Sequence, residues 1–230
     1  MKPQAASPEA SPLSREEEQA DVIRRLEEDI IFGRFAPGSR LVEDTLMARY
    51  RASRHFVRQG LFQLERQGIV LREKNIGATV RCYSSEEVRQ IYEVREMLTR
   101  QAALMIALPA PAALIERLIE LQRRYCGRAD AQDLRGIHEA NDAFHVALFS
   151  ACGNPYLVRS LQDYMNLTLP MRAKNLADTQ GLALSRRQHE FMIELLRGRD
   201  SWAFAQLCVD HMQFSKSDYL VRIAGDGNAD

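Results

Sequence analysis

Apolar residues recur at helical spacing from the start of the ordered-looking sequence. Val22 or Ile23, Leu26 and Ile30 mark one amphipathic helix, opened by a Ser14/Glu17 capping box and closed by Gly33. Pro37-Gly38 then turns the chain. Leu41 and Leu46 frame a second, short helix ending near Tyr50. Val57, Leu61 and Leu64 form the stripe of a third, capped by Ser53 and stopped by Gly68. Two short helices joined through Arg51-Ala52 make a helix-turn-helix. Residues 69–73 and 78–82 read as a two-stranded hairpin across 74–77, where Gly77 is free to take positive φ. A helix-turn-helix with that hairpin is a winged helix.

From Ser84 the pattern is helical throughout, beginning with a second capping box, Ser84/Glu87. Helices are expected at about 85–106, 112–125, from Asp133 through Cys152, 155–175 with a kink at Pro170, 183–197 and 201–223. The expected fold is mainly α: an N-terminal winged helix-turn-helix followed by an all-helical antiparallel bundle. The expected units are a disordered tail (1–13), a winged helix-turn-helix domain (14–82), an all-helical domain (83–224) and a frayed end (225–230).

Composition adjusts this picture in two ways. The formal net charge of the 230-residue chain is 0, yet residues 39–81 hold nine Arg or Lys against four Asp or Glu. A local basic face on a neutral protein suits a nucleic-acid-binding module attached to a body with another task. The cysteines Cys82, Cys126, Cys152 and Cys208 form no CxxC pair, which suits free thiols in a reducing compartment. No apolar run approaches membrane-spanning length, and the N-terminus lacks the pattern of a secretion signal. A cytoplasmic location with no membrane partner is expected.

Two groups of residues carry chemistry. Arg54, His55 and Arg58 crowd the start of the Ser53–Gly68 helix, away from its apolar stripe, where they suit the major groove of DNA as well as plain solvent. Arg72, Lys74 and Arg81 on the wing are candidate phosphate contacts. In the helical half, Asn141 and His145 share a helix face, and His189 and His211 lie on two further helices. Three imidazoles from three helices can meet at one divalent metal, zinc, nickel or manganese, with the Asn141 carbonyl as a further donor. Scattered, separately bonded histidines are the alternative, and His138 is a competitor two turns before His145. Arg95 suits a carboxylate ligand or a local pair with Glu93 or Glu96, with Tyr92 and Met97 facing inward beside it; Arg172 is a second anion contact.

These motifs resemble the GntR-type bacterial transcriptional regulators of the FadR-like subgroup with an FCD effector domain, over roughly residues 20–220. Gly33-Arg34-Phe35-Ala36-Pro37-Gly38-Ser39-Arg40-Leu41, Ser53-Arg54-His55-Phe56-Val57-Arg58, Leu61, Leu64 and Gly77 match the first half of the pattern. Val94-Arg95, Asn141-Asp142-Ala143-Phe144-His145, Cys152-Gly153-Asn154, Gln188-His189, Gly198-Arg199-Asp200 and His211 match the second. The resemblance implies that Arg54 and Arg58 read operator DNA. It also implies a metal at Asn141, His145, His189 and His211, and a small organic acid as effector, with Arg95 as its carboxylate partner. His55-Phe56 and Gln59-Gly60 depart from the usual Thr-Pro and Glu-Ala. Asn141 stands in the place of an Asp, which weakens the expectation of a metal, and Thr99 in that of an acidic residue.

The expected function is therefore an effector-controlled, homodimeric DNA-binding regulator, a repressor more often than an activator. Its operator would be an inverted repeat in double-stranded DNA, with half-sites about one helical turn apart. A helical domain serving only dimerisation is the alternative, and a metal-dependent enzyme with Asp142 as general base is a remoter one.

Overall fold

The computed structural model describes residues 14–73, 77–172 and 178–226. Helix α1 (Arg15–Ile31) carries the Ser14/Glu17 capping box in full, with both reciprocal bonds present. A two-residue strand β1 (Arg40–Leu41) leads into α2 (Glu43–Tyr50), and Arg51 closes that helix in the left-handed region at φ 53°. Helix α3 (Arg54–Arg66) follows at once, then strands β2 (Val70–Glu73) and β3 (Gly77–Val80).

The sheet has three strands, not the two expected. Strand β3 lies between β1 and β2, antiparallel to both, with Arg40 opposite Thr79 and Val70 opposite Val80. A strand of two residues is too short to show an alternating pattern, so its pairing is visible only in three dimensions. The expected tip of the hairpin, including Lys74, lies outside the described residues.

Val22, Leu26 and Ile30 of α1 close over Leu46, Val57, Leu61, Leu64 and the inner residues of the sheet. Gly60 lies inside this contact. A Cβ there would stand 3.6 Å from both Ile23 Cγ1 and Leu26 Cδ2, so a methyl group fits at ordinary van der Waals distance.

The second half is helical throughout its described residues: α4 (Ser85–Leu104), α5 (Ala112–Asp130), α6 (Leu134–Ser150), α7 (Pro155–Leu167), α8 (Thr179–Leu195) and α9 (Ser201–Asp226). Their shared core holds Leu118, Leu121, Phe144, Leu148, Phe204 and Ala205. Asp133 caps α6 by accepting from the Gly136 N–H at 2.9 Å, and Asp178 starts α8 a turn earlier than the sequence pattern suggests. Helix α7 is not one kinked rod. It ends at Thr168, whose hydroxyl turns back to the Tyr164 carbonyl at 2.8 Å, and helical backbone resumes over 169–172. Pro170 has no N–H to offer the Asn166 carbonyl, so the ladder is interrupted there. Residues 173–175 of that expected helix lie outside the described residues.

The two halves touch where they join. The Tyr83 hydroxyl donates to the Gly68 carbonyl at 2.6 Å, and Leu169 packs into the N-terminal core.

Candidate functional site

Two sites emerge, one on the surface of the N-terminal half and one inside the helical half. On the first, Ser53 Oγ accepts from the Phe56 N–H at 3.3 Å, so this serine is a helix cap. Phe56, Val57, Gly60, Leu61 and Leu64 turn inward, and Arg54, His55 and Arg58 face solvent. The basic face expected on this helix is present, but it is not bare. Arg54 Nη2 donates to Asp44 at 2.6 Å, and Arg58 Nε donates to both oxygens of Glu43, at 2.9 and 3.0 Å. Helix α2 thus sets two carboxylates against the two arginines. Sequence spacing hides this, because the partners are 10 and 15 residues apart.

The wing residues separate. Arg72 lies 3.5 Å from Glu65, both partly open to solvent. Gly77 takes φ +99°, the left-handed region that favours glycine. Arg81 is drawn towards the helical half: its guanidinium lies over the Tyr83 ring at 4.6 Å and 3.4 Å from Glu87, at the junction of the two halves.

Inside the helical half, three imidazoles meet. His145 Nε2 on α6 lies 3.1 Å from His211 Nε2 on α9 and 3.3 Å from His189 Nε2 on α8. Second nitrogens fix which way these rings present themselves. His189 Nδ1 donates to Gln122 Oε1 at 2.9 Å, and Gln122 Nε2 in turn donates to the Arg186 carbonyl, which leaves its oxygen for the ring. His211 Nδ1 donates to Gln188 Oε1 at 2.8 Å. With Nδ1 protonated in both, each keeps an Nε2 lone pair that faces His145 Nε2.

Burial holds His145 and His189 well below the ordinary histidine range, helped by the neighbouring rings. His211 is pushed down to about 3, first by burial and then by Arg95 and Arg172. All three are therefore neutral at pH 7, which is the metal-binding form. A metal with bonds of about 2.0–2.1 Å to nitrogen needs neighbouring donors roughly 3.0–3.4 Å apart; His145 Nε2 stands at 3.1 and 3.3 Å from the other two, and all three donor atoms lie within 4.8 Å of one another. The donor set fits a divalent cation: three His145, His189 and His211 nitrogens can coordinate it.

A cavity of about 50 Å³ opens beside the cluster, lined among others by Asn141, Arg95, Arg172, Ser185 and Gln188. That is room for a few waters or a small carboxylate. Asn141 is buried on the same face of α6 as His145. Arg95 is buried as well, with Nη1 donating to Thr168 Oγ1 at 2.8 Å and the guanidinium 5.7 Å from the Tyr92 ring centroid. Burial lowers its pKa to about 10, and no carboxylate lies within salt-bridge distance of it among the described residues. Its expected local partner is engaged elsewhere: Glu96 binds Gln213 and Lys216, each at 2.9 Å.

Arg172 is different. It forms a two-point ion pair with Asp142, at 2.7 and 3.1 Å. Asp142 is thereby turned away from the histidines and towards His138, whose ring nitrogen lies 3.7 Å from it. This removes Asp142 as a general base beside the three imidazoles. Met97, expected to face inward, is 58% exposed, because two residues along a helix from Arg95 is roughly its opposite side. Thr99 is buried, its hydroxyl donating to Met212 Sδ at 3.6 Å. Gln122 and Thr168 were not singled out by the sequence. Glutamine and threonine on an amphipathic helix are common, and only the approach of other helices gives these two a partner.

Among the described residues no helix is long and apolar enough to cross a membrane. The model of the FCD domain matches residues 90–214, and that of the bacterial regulatory proteins of the gntR family matches residues 18–80. An HTH-type transcriptional regulator of Paraburkholderia xenovorans, BphR, is 31% identical over 60% of this chain and 59% of its own length. The HTH-type transcriptional repressor GlaR of Escherichia coli is 26% identical over 84% of this chain and 91% of its own. Among solved structures, McbR/YncC of E. coli has a TM-score of 0.70 at 17% identity, covering 90% of this chain and 98% of that one. A GntR transcriptional regulator of Rhodococcus sp. RHA1 has a TM-score of 0.68 at 23% identity, over 89% and 98%.

Proposed function

The chain belongs to the GntR family of bacterial regulatory proteins and carries an FCD domain, and from that premise we propose that it is a homodimeric repressor released or engaged by a small organic acid bound beside Arg95. Sequence-specific DNA binding coupled to an effector domain is the family's activity, and the class is not enzymatic. The finer assignments rest on the geometry above.

One observation carries the effector reading. Among the described residues Arg95 is a buried cation with no carboxylate partner, and it lines the same cavity as His145 and His211. A buried charge without a partner is costly unless something offsets it. A small carboxylate does so by paired, charge-assisted bonds to the guanidinium. Arg172, already held by Asp142, is the secondary anion contact.

A divalent ion, zinc, nickel or manganese, would be held by His145, His189 and His211, with the Asn141 carbonyl oxygen as a weaker fourth donor. When bound, the ion supplies positive charge to which a carboxylate oxygen can attach. Asn141 brings no charge of its own, so the site stays more cationic than it would with an aspartate in that place. In the N-terminal half, Arg54 and Arg58 read the major groove, His55 lies beside them, and Ser53 caps their helix. Arg72, Lys74 and Gly77 form the part of the wing that meets the phosphate backbone. An effector can change DNA affinity only by binding two arrangements of the protein unequally.

The test is a binding measurement on the full chain. A duplex selected from a randomised pool by the wild-type protein should lose most of its affinity for R58A, and less for R54A. A panel of small carboxylates, with and without zinc, should raise the melting temperature of the wild type but not of R95A. Equal operator affinity for R54A, R58A and wild type sinks the groove assignment. Equal carboxylate response in R95A sinks the effector assignment.

A further inference from the structure

Glu43 stands out among the charged residues that the reading above leaves without a role. It opens α2, 15 residues before Arg58 in the chain, and its side chain is only 27% exposed. The arginines over it are far more open, Arg54 at 52% and Arg58 at 58%. Glu43 thus lies beneath both guanidinium groups. How each arginine is held differs. Arg58 meets Glu43 through Nε alone, whose one N–H is shared between the two carboxylate oxygens at 2.9 and 3.0 Å. The four N–H bonds on its terminal nitrogens are left for other partners. Arg54 has its outer end engaged instead: Nη2 donates to Asp44 at 2.6 Å, and Nη1 lies 3.8 Å from Glu43.

We propose that Glu43 is a positioning residue for DNA reading: it grips Arg58 by the inner nitrogen and presents the terminal fork to a base edge, whereas Asp44 competes with DNA for Arg54. The inference rests on Arg54 and Arg58 facing the groove. An arginine can pair with guanine O6 and N7 through its two terminal nitrogens or through one terminal nitrogen and Nε. With Nε held by Glu43, only the end-on mode remains. The guanidinium stem is also fixed before DNA arrives, so less side-chain freedom is lost on binding. Asp44 is 75% exposed, and an ion pair that open contributes little. DNA displaces it readily, and its carboxylate then repels the phosphates.

The two acids therefore have opposite signs of effect. Simple electrostatics predicts that neutralising any carboxylate near DNA raises affinity for every duplex. Positioning predicts that neutralising Glu43 lowers affinity for the specific duplex alone. The experiment uses full-length protein, the duplex that wild type selects from a randomised pool, and a scrambled duplex of equal length. For E43Q, specific affinity should fall by about tenfold, the scale of one bidentate base contact, while scrambled-duplex affinity holds or rises. D44N should raise affinity for both duplexes. R58K keeps the charge but has no inner N–H distinct from its terminal group, so it should lose specific affinity as E43Q does, with α2 untouched. In the R58A background, E43Q should cause no further loss of specific binding.

If E43Q raises affinity for both duplexes as D44N does, or if R58K binds the selected duplex as wild type does, the inference is overturned. Loss of specific binding in R58A without loss in E43Q overturns it while leaving the groove assignment in place. Unchanged binding in R58A overturns both. An unfolding midpoint recorded for each variant separates a misfolded α2 from a lost contact, and a further specific loss on adding E43Q to R58A overturns the inference, because Glu43 would then act without Arg58.

Discussion

Asp142 binds both terminal nitrogens of Arg172, at 2.7 and 3.1 Å, from the position next to Asn141 on α6. The pair satisfies, from within the protein, one of the two cations that line the cavity beside the histidines and leaves Arg95 as the one without a carboxylate among the described residues. Arg172 is 7% exposed at its side chain and Asp142 26%. D142N strands a buried guanidinium, and the expected loss is about 2–4 kcal/mol, near the lower end for a broken buried pair because the carboxylate is partly open. Urea unfolding of the metal-free protein measures it. Added acetate or a similar small carboxylate should restore more stability to D142N than to wild type, since Arg172 is then free to bind it.

Gln122 and Gln188 hold the second nitrogens of His189 and His211. Removing either acceptor frees the ring to rotate or to change tautomer. Q122A and Q188A should each weaken divalent metal binding by about 10–100-fold, the usual cost of losing such an outer partner. Calorimetric titration of chelator-stripped protein with zinc gives the constants. Affinities equal to wild type would mean that packing alone orients the rings.

Glu27 on α1 has its pKa raised to about 6, chiefly by burial, then by repulsion from Glu28 and Asp142, with Arg135 opposing. A carboxyl raised on folding favours the protonated native state. Its charge costs stability above about pH 6, and the cost disappears below the ordinary value of 4.5. E27Q should therefore be more stable than wild type at pH 7.5, by no more than about 2 kcal/mol, and equal to it near pH 4. Unfolding midpoints across that range test the sign. The buried histidines act the other way: their lowered pKa values make metal-free protein lose stability as pH falls below about 6.5, in wild type and E27Q alike.

Gly60 lies inside α3 with space for a methyl group against Ile23 and Leu26. G60A should raise stability by about 0.5–1 kcal/mol, since alanine is the better helix residue and its Cβ meets ordinary contacts. Thermal unfolding reads the change directly. A loss of stability would mean that α1 and α3 cannot accommodate the extra carbon at 3.6 Å.

Local patterns in the chain specify the types of most elements and which residues share a helix face. Helical period, two capping boxes and the Pro37-Gly38 turn are local signals, set by interactions within a few residues. They put Val57, Leu61 and Leu64 on the buried side of α3 and Arg54 and Arg58 on its open side, where the structure has them. They also set Asn141 and His145 on one face of α6. That three histidines meet within 3.3 Å of a shared nitrogen was beyond spacing, because they come from helices 44 and 66 residues apart. The same reason hid the pairing of β1, the hold of Gln122 on His189, the turn of Asp142 towards Arg172, and the grip of Glu43 on Arg58. Each is a polar contact between elements. Periodicity fixes which way a side chain leaves its own helix, and only the packing of one helix against another decides what it meets.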